Sequence, residues 1–357
     1  MPIETLFLTQ GASGQADKVA QALAEFISGA QKSLHIAIYD FRLSDKLTVP
    51  VLDAIRDRAK AGVEVLIAYD HTKAPNDKPS PVVALGGDPA PAGTGQFLQS
   101  NLQGTAVKLK GISGLKLMHN KYIIRDVHTE AGTLWTGSIN FTDDAWTLQE
   151  NNGVRIPSPQ LCNFFETDFQ ELWQKGDIDS TGINDIGRAY MGSTAIDVAF
   201  APGEGDHLDH LIAGEISRAR RRIKIASMLV ASHSILGALD DVLRHNQVKE
   251  FNGIYDKTQM ARTIEQWQDV PHNRGLAVTF EEISQHLVGK NSTPYTPTSQ
   301  HDFMHNKVAV CDDTVITGSF NFSHSATMNA ENHIAIHDPA IAEQYATYID
   351  TLIARYR

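Results

Sequence analysis

A chain of 357 residues, 42% hydrophobic and 20% charged, is long enough for two ordinary domains or one large duplicated one, and its composition is that of a packed globule. Lys and Arg number 31 against 42 Asp and Glu, a formal net charge of −11. That balance argues against non-specific coating of nucleic acid, an affinity that comes from neutralised phosphates, but leaves room for a small basic site in an acidic body.

The N-terminal run MPIETLFLTQGASG has no basic n-region and carries Glu4, so it does not read as a signal peptide. Nowhere does the chain approach the roughly 18 uninterrupted apolar residues of a membrane span, and a cytoplasmic location is expected. Residues 27–38, ISGAQKSLHIAI, read as a helix end running into a strand, and VEVLIAYD (63–70) as a second strand closed by Tyr69 and Asp70. An aspartate at a strand end commonly starts a turn, which is the role expected of Asp70. Residues 72–104 are crowded with Pro and Gly and are expected to form a substrate-binding loop. LMHNKYIIRD (117–126) and WTGSINF (135–141) follow, then Glu150, and the amphipathic FFETDFQELW (164–173) closes this half as a helix packed in the core. Residues 176–194, rich in Gly, Ser, Thr and Asp, read as a linker.

Beyond the linker the same series returns. ISRARRRIKIAS (216–227), KEFNGIYD (249–256), FMHNKVAVCD (303–312), ITGSFNF (316–322), Glu331 and QYATYIDTLI (344–353) appear in the same order, their register drifting only by small insertions. Residues 284–301 are the second irregular stretch, again just before the His-Asn-Lys run. Duplication divides the chain into halves 1–178 and 179–357. Alternating helices and strands predict, for each half, a mixed sheet covered by helices. The basic cluster Arg218, Arg220, Arg221 and Arg222 is expected at a helix C-terminus, where cations complement the dipole. The two cysteines, Cys162 and Cys311, stand in unrelated contexts and spell no disulfide framework or zinc knuckle.

The repeated chemistry is His119-x-Lys121-x4-Asp126 with Gly137-Ser138-x-Asn140-Phe141, and His305-x-Lys307-x4-Asp312 with Gly318-Ser319-x-Asn321-Phe322. On a strand, positions i and i+2 point to one face, so each histidine emerges beside its lysine. If the halves pack about a pseudo-two-fold axis, one pocket receives two imidazoles, two ammoniums and two amides, a fit for a tetrahedral phosphate. One neutral imidazole can attack phosphorus while the other, protonated, serves the leaving oxygen. Glu150 and Glu331 are placed to orient a ring nitrogen. With cations supplied by lysine, no metal or other cofactor is required. His301 stands four residues before His305, but His305 is already used by the motif, which argues against a metal pair.

Two H-x-K-x4-D motifs, each followed by G-S-x-N-F, resemble the phospholipase D superfamily over both halves, with the MHNKVAVCDDTVITGSFNF run most similar to its endonuclease-like branch. The resemblance implies a duplicated α/β/α sandwich with the site between the halves, and a two-step, metal-independent cleavage of a phosphodiester through a covalent phosphohistidine. It implies that His119 is the nucleophile and His305 the general acid. Lys121, Lys307, Asn140 and Asn321, with Ser138 and Ser319, would bind phosphate, and Asp126 and Asp312 would hold local structure. The substrate it implies is a phosphodiester, nucleic acid first and phospholipid second, handled by a monomer since both motifs lie in one chain. A non-catalytic phosphate-binding scaffold would have lost a motif histidine or lysine, and none is lost here.

Overall fold

A computed structural model describes residues 2–71, 93–183, 185–296 and 299–357. Two mixed sheets carry the duplication. The first has seven strands in the spatial order Glu4–Leu8, Asn151–Ile156, Thr133–Gly137, Lys121–Arg125, Ser33–Ile38, Glu64–Asp70 and Lys108–Ile112. In the second the order is Gly187–Met191, Thr194–Ala201, Glu331–His337, Thr314–Gly318, Lys307–Cys311, Arg222–Ser227, Glu250–Asp256 and Leu287–Lys290. In both, the last three strands run parallel and the remaining pairs antiparallel. Ser33–Ile38 is buried along its whole length, as expected of a parallel strand covered on both faces.

Helices Gln15–Ser28 and Asp45–Lys60 cover the outer face of the first sheet, burying Leu23, Val51 and Leu52 against Ile36 and Ile67. Gly205–Arg218 and His233–Arg244 do the same for the second, with Leu208, Ile212 and Leu236 against Ile223 and Ile316. The closing helices Pro159–Lys175 and Pro339–Tyr356 lie between the sheets in one shared core. Their aromatic stripes point inward as the helical spacing predicts: Phe165, Phe169, Tyr345 and Ile349 are fully buried, and the ring of Phe165 meets Phe200 of the other half at 4.9 Å. The expected duplicated α/β/α architecture is therefore present, with its central helical layer common to both halves.

Three local expectations differ. The stretch 176–194 contains a strand, Gly187–Met191, which pairs antiparallel with Thr194–Ala201 and forms an edge of the second sheet. Gly176 and Gly182, both at positive φ, end the preceding helix and turn the chain, and pairing with a ready edge then overrides weak strand propensity. Within 72–104, Thr94–Leu102 is a helix seated by buried Leu98 and Leu102, while residues 72–92 lie outside the described residues. Within 284–301, Leu287–Lys290 is a strand parallel to Glu250–Asp256.

An acid pair is buried near the junction of the halves. Tyr122 Oη donates to Asp168 Oδ2 at 2.6 Å, whereas Asp168 Oδ1 and both carboxyl oxygens of Asp185 have no hydrogen-bond partner among the described residues. Burial, then the carboxylates of Glu171 and Glu204, push Asp185 up to about 7; burial, then Asp185, hold Asp168 well above the usual range. A carboxyl group that keeps its proton to higher pH when folded makes folding take up a proton, so stability falls as pH rises from about 4 to about 7 and stays low above it. Asp185→Asn is expected to be more stable than wild type by roughly 2–4 kcal/mol at pH 8 and nearly equal at pH 4, read from urea unfolding. An equal gain at both values would refute the assignment.

Candidate functional site

Each His-x-Lys motif stands where its strand begins, and the sequence holds it there from behind. Asp70 Oδ1 accepts the N–H of Met118 at 2.6 Å, and Asp256 Oδ2 that of Met304 at 2.9 Å. The repeated Tyr-Asp pairs thus anchor the residue before each histidine rather than merely starting a turn. Their repetition at the same place in both halves was the signal. Burial raises Asp70 to about 7, opposed by its bond from Met118 and by Lys121.

The two motifs are then clamped to the opposite halves. His119 N–H donates to Ala330 O at 2.8 Å and Ala330 N–H to Leu117 O at 2.8 Å; His305 N–H donates to Glu150 O at 3.0 Å and Glu150 N–H to Phe303 O at 3.3 Å. Asn306, for which the sequence suggested no role, belongs to the same seam. Its Oδ1 accepts from Asn152 Nδ2 at 2.9 Å and its Nδ2 donates to Tyr348 Oη at 3.1 Å. These crossed bonds bring His119, Lys121, His305 and Lys307 into one site, all of them 1–3% exposed.

Both imidazoles are held far below their ordinary pKa. Burial is the main cause for each, followed by the ammoniums of Lys121 and Lys307, both of which act on both rings. That shared influence is the electrostatic sign of convergence. Each lysine is aimed by the carbonyl of its own histidine: Lys121 Nζ donates to His119 O at 2.8 Å and Lys307 Nζ to His305 O at 2.6 Å. Tyr39 packs edge-on to His119 at 4.8 Å, with Lys121 Nζ 5.0 Å from its ring. The sequence reading did not single it out.

The ring partners differ between the halves. His119 Nδ1 lies 2.8 Å from Glu331 Oε2, contributed by the other half. Glu331 also accepts from Ser319 Oγ at 2.6 Å and from Asn329 Nδ2 at 3.1 Å. Ser319 and Asn329 already donate to this carboxyl group, which makes it the acceptor and assigns the proton to His119 Nδ1; the ring is also hydrogen-bonded to the backbone of Ser319, which opposes the lowering of its pKa. Burial raises Glu331 to about 7, with Lys121 and these bonds opposing. His305 Nδ1 instead meets the amide oxygen of Asn151 at 3.0 Å.

Glu150, expected to orient a ring nitrogen, does not reach one. Its carboxylate is buried in an ion pair with Lys290, and accepts from Tyr356 Oη and, at 3.2 Å, from the N–H of Gln10. The cause is one extra residue in the first half. Ser138 N–H bonds Asn152 O where Ser319 N–H bonds Asn332 O, so Asn151, not Glu150, stands opposite Glu331. Aligning Asn152 with Asn332 instead of glutamate with glutamate would have found it.

The hydroxyls expected to bind phosphate serve these partners: Ser138 Oγ donates to Asn151 Oδ1 at 2.8 Å, as Ser319 Oγ does to Glu331, and both serines are fully buried. Asn140 and Asn321 follow on the same turns with their Oδ1 atoms unpaired among the described residues. Asp126 and Asp312 lie at the far ends of the motif strands. Asp126 Oδ1 accepts the N–H groups of Gln31 and Lys32 at 2.7 and 2.6 Å; Asp312 takes those of Arg220, Arg221 and Arg222 at 2.9, 2.7 and 3.0 Å. They tie the loops that lead into Ser33–Ile38 and Arg222–Ser227, the strands paired with the motif strands. The arginine cluster is at that same remote end, where Arg218, Arg221 and Arg222 pair with Glu215, Asp313 and Glu343. His301 stacks on both Tyr295 and Phe303, at 5.0 and 5.2 Å, in a cluster of three rings.

Two interlocked halves, each with a lysine opening a strand and a histidine just before it, match the family model described as cardiolipin synthase, PLD-like domain, over residues 23–173 and 212–353. The chain belongs to this phospholipase D-like family. Among solved structures it is similar to phosphatidylserine synthase of Haemophilus influenzae Rd KW20, with TM-score 0.64 and 13% identity over 97% of this chain and 85% of that one. It is also similar to the polyphosphate kinase of Porphyromonas gingivalis, with TM-score 0.58 and 10% identity over 98% and 46%. The phospholipase D family member Nuc from Salmonella typhimurium aligns at 21% identity and TM-score 0.35 over 46% of this chain and 96% of its own. No curated protein sequence matches the chain. Among the described residues, no helix of this phospholipase D-like chain is long and apolar enough to cross a membrane.

Proposed function

We propose that this phospholipase D-like protein cleaves a phosphodiester without a metal, through a covalent phosphohistidine on His119. The observation that carries the reading is the contact of His119 Nδ1 with Glu331, which assigns Nε2 as the nucleophile on a ring that burial and the charges of Lys121 and Lys307 keep neutral. Nε2 attacks phosphorus, and the bond to the leaving oxygen breaks as that oxygen takes a proton from His305. Lys121, Lys307, Asn140 and Asn321 hold the non-bridging oxygens and neutralise the charge that builds on them. In the second step His305 removes a proton from water, whose oxygen displaces His119 Nε2 and releases a phosphomonoester. An alcohol in place of water gives a new diester.

The substrate proposed first is single-stranded nucleic acid. Histidines only 1–3% exposed favour a phosphate on a slender chain over one embedded in a duplex. Phospholipid is the second reading, favoured by the family description, cardiolipin synthase, PLD-like domain. Side-by-side assays of single- and double-stranded DNA, RNA and phosphatidylcholine vesicles, all in excess EDTA, test it. The expected result is turnover of single-stranded DNA or RNA. Turnover of vesicles alone moves the assignment to the second reading, and turnover that appears only without chelator overturns the mechanism.

A further inference from the structure

The proton inventory around His305 is decided by backbone carbonyls some distance away. The carbonyl of His301 can only accept, so the contact of Gln149 at 3.2 Å identifies its Nε2 and turns its Oε1 the other way. Oε1 receives Asn151 Nδ2 at 3.0 Å, and the same Nδ2 donates to the carbonyl of Ala145 at 3.2 Å. Both donors of the Asn151 amide are thereby used, and its oxygen faces Ser138 and His305. An amide oxygen offers no proton, so His305 must carry its own on Nδ1. The pseudo-symmetric place in the other half is held by the carboxylate of Glu331.

We propose that Asn151 is the positioning residue for His305, locking it in the Nδ1–H tautomer and, by withholding the negative charge that Glu331 lends His119, making His305 the stronger acid of the pair. This inference rests on the phosphohistidine reading above. A carboxylate at position 151 would stabilise the imidazolium and weaken it as a proton donor, whereas an amide orients the ring without doing so. Burial first, then the charges of Lys307, Lys121 and the ring of His119, disfavour protonation of His305, and a hydrogen bond to the backbone of Ser138 opposes them. His305 then takes up at Nε2 the proton it delivers when the anionic diester arrives between the lysines. The balance is one proton gained from solvent and one given to the leaving oxygen.

The test compares wild type, Asn151→Asp, Asn151→Gln and Asn151→Ala on bis(4-nitrophenyl) phosphate and diphenyl phosphate across pH, in EDTA. Asn151→Asp is expected to move the limb of the rate profile that reports His305 upward by about one pH unit or more. Asn151→Ala should slow diphenyl phosphate, the poorer leaving group, about tenfold or more beyond its effect on the nitrophenyl diester, with partial rescue in Asn151→Gln. Equal slowing of both diesters together with an unmoved limb in Asn151→Asp overturns the inference. Should Asn151→Ala fail to fold, the limb in Asn151→Asp decides by itself. Wild type inert on both diesters would instead overturn the underlying mechanism, so the two failures are told apart.

Discussion

His119→Ala is expected to lower turnover of an activated phosphodiester by roughly four orders of magnitude or more, with the wild-type rate unchanged in excess EDTA. The reason is the covalent step. Lys121, Lys307 and the amides still bind phosphate in the variant, but no other nitrogen presents an electron pair at the same place, and water arrives unactivated. His305→Ala behaves differently. Its cost should shrink as the leaving group improves, because a nitrophenolate departs with little protonation and an alkoxide does not. Equal slowing across leaving groups would remove His305 from the acid role, and residual turnover in His119→Ala near the wild-type rate would remove the phosphohistidine.

The second large effect concerns stability. Lys290 and Glu150 are 1% and 0% exposed, and the ammonium also lies 5.4 Å from the ring centre of Tyr356. Removing either partner strands a charge where water cannot reach it, so Lys290→Met or Glu150→Leu alone is expected to cost about 3–5 kcal/mol. The double variant Lys290→Met, Glu150→Leu should recover most of that loss, since neither charge then needs solvation. Urea unfolding of the four proteins forms the cycle. If the single variants lose less than about 1 kcal/mol, the pair is solvated and the buried reading fails. Glu150 also holds the N–H of His305 through its carbonyl, so a loosened pair should be felt at the second motif.

This ion pair shows why pattern alone misassigned Glu150. Glutamate in QENNG and AENHI looks equivalent, and a repeat is aligned by matching like residues. Strand pairing is stricter: each N–H must find a carbonyl, and the bonds from Ser138 to Asn152 and from Ser319 to Asn332 set a register that one inserted residue has shifted. Asp70 and Asp256 were visible as a repeated pair, yet a turn and a clamp on Met118 and Met304 leave the same mark in sequence. Ser138 and Ser319 likewise carried no sign that their hydroxyls would be consumed by Asn151 and Glu331.

By itself the sequence determined the duplication, the α/β class and the four residues of the two His-x-Lys pairs. Periodicity, strand alternation and motif spacing are local properties, and a repeat writes them twice. Only the tertiary structure decided which group each histidine faces, because Glu331 reaches His119 from 212 positions away and Asn151 reaches His305 from 154. Those contacts depend on the crossed pairing of the halves and on a shared helical core. A free energy summed over that whole interface leaves no trace in any one segment of the chain.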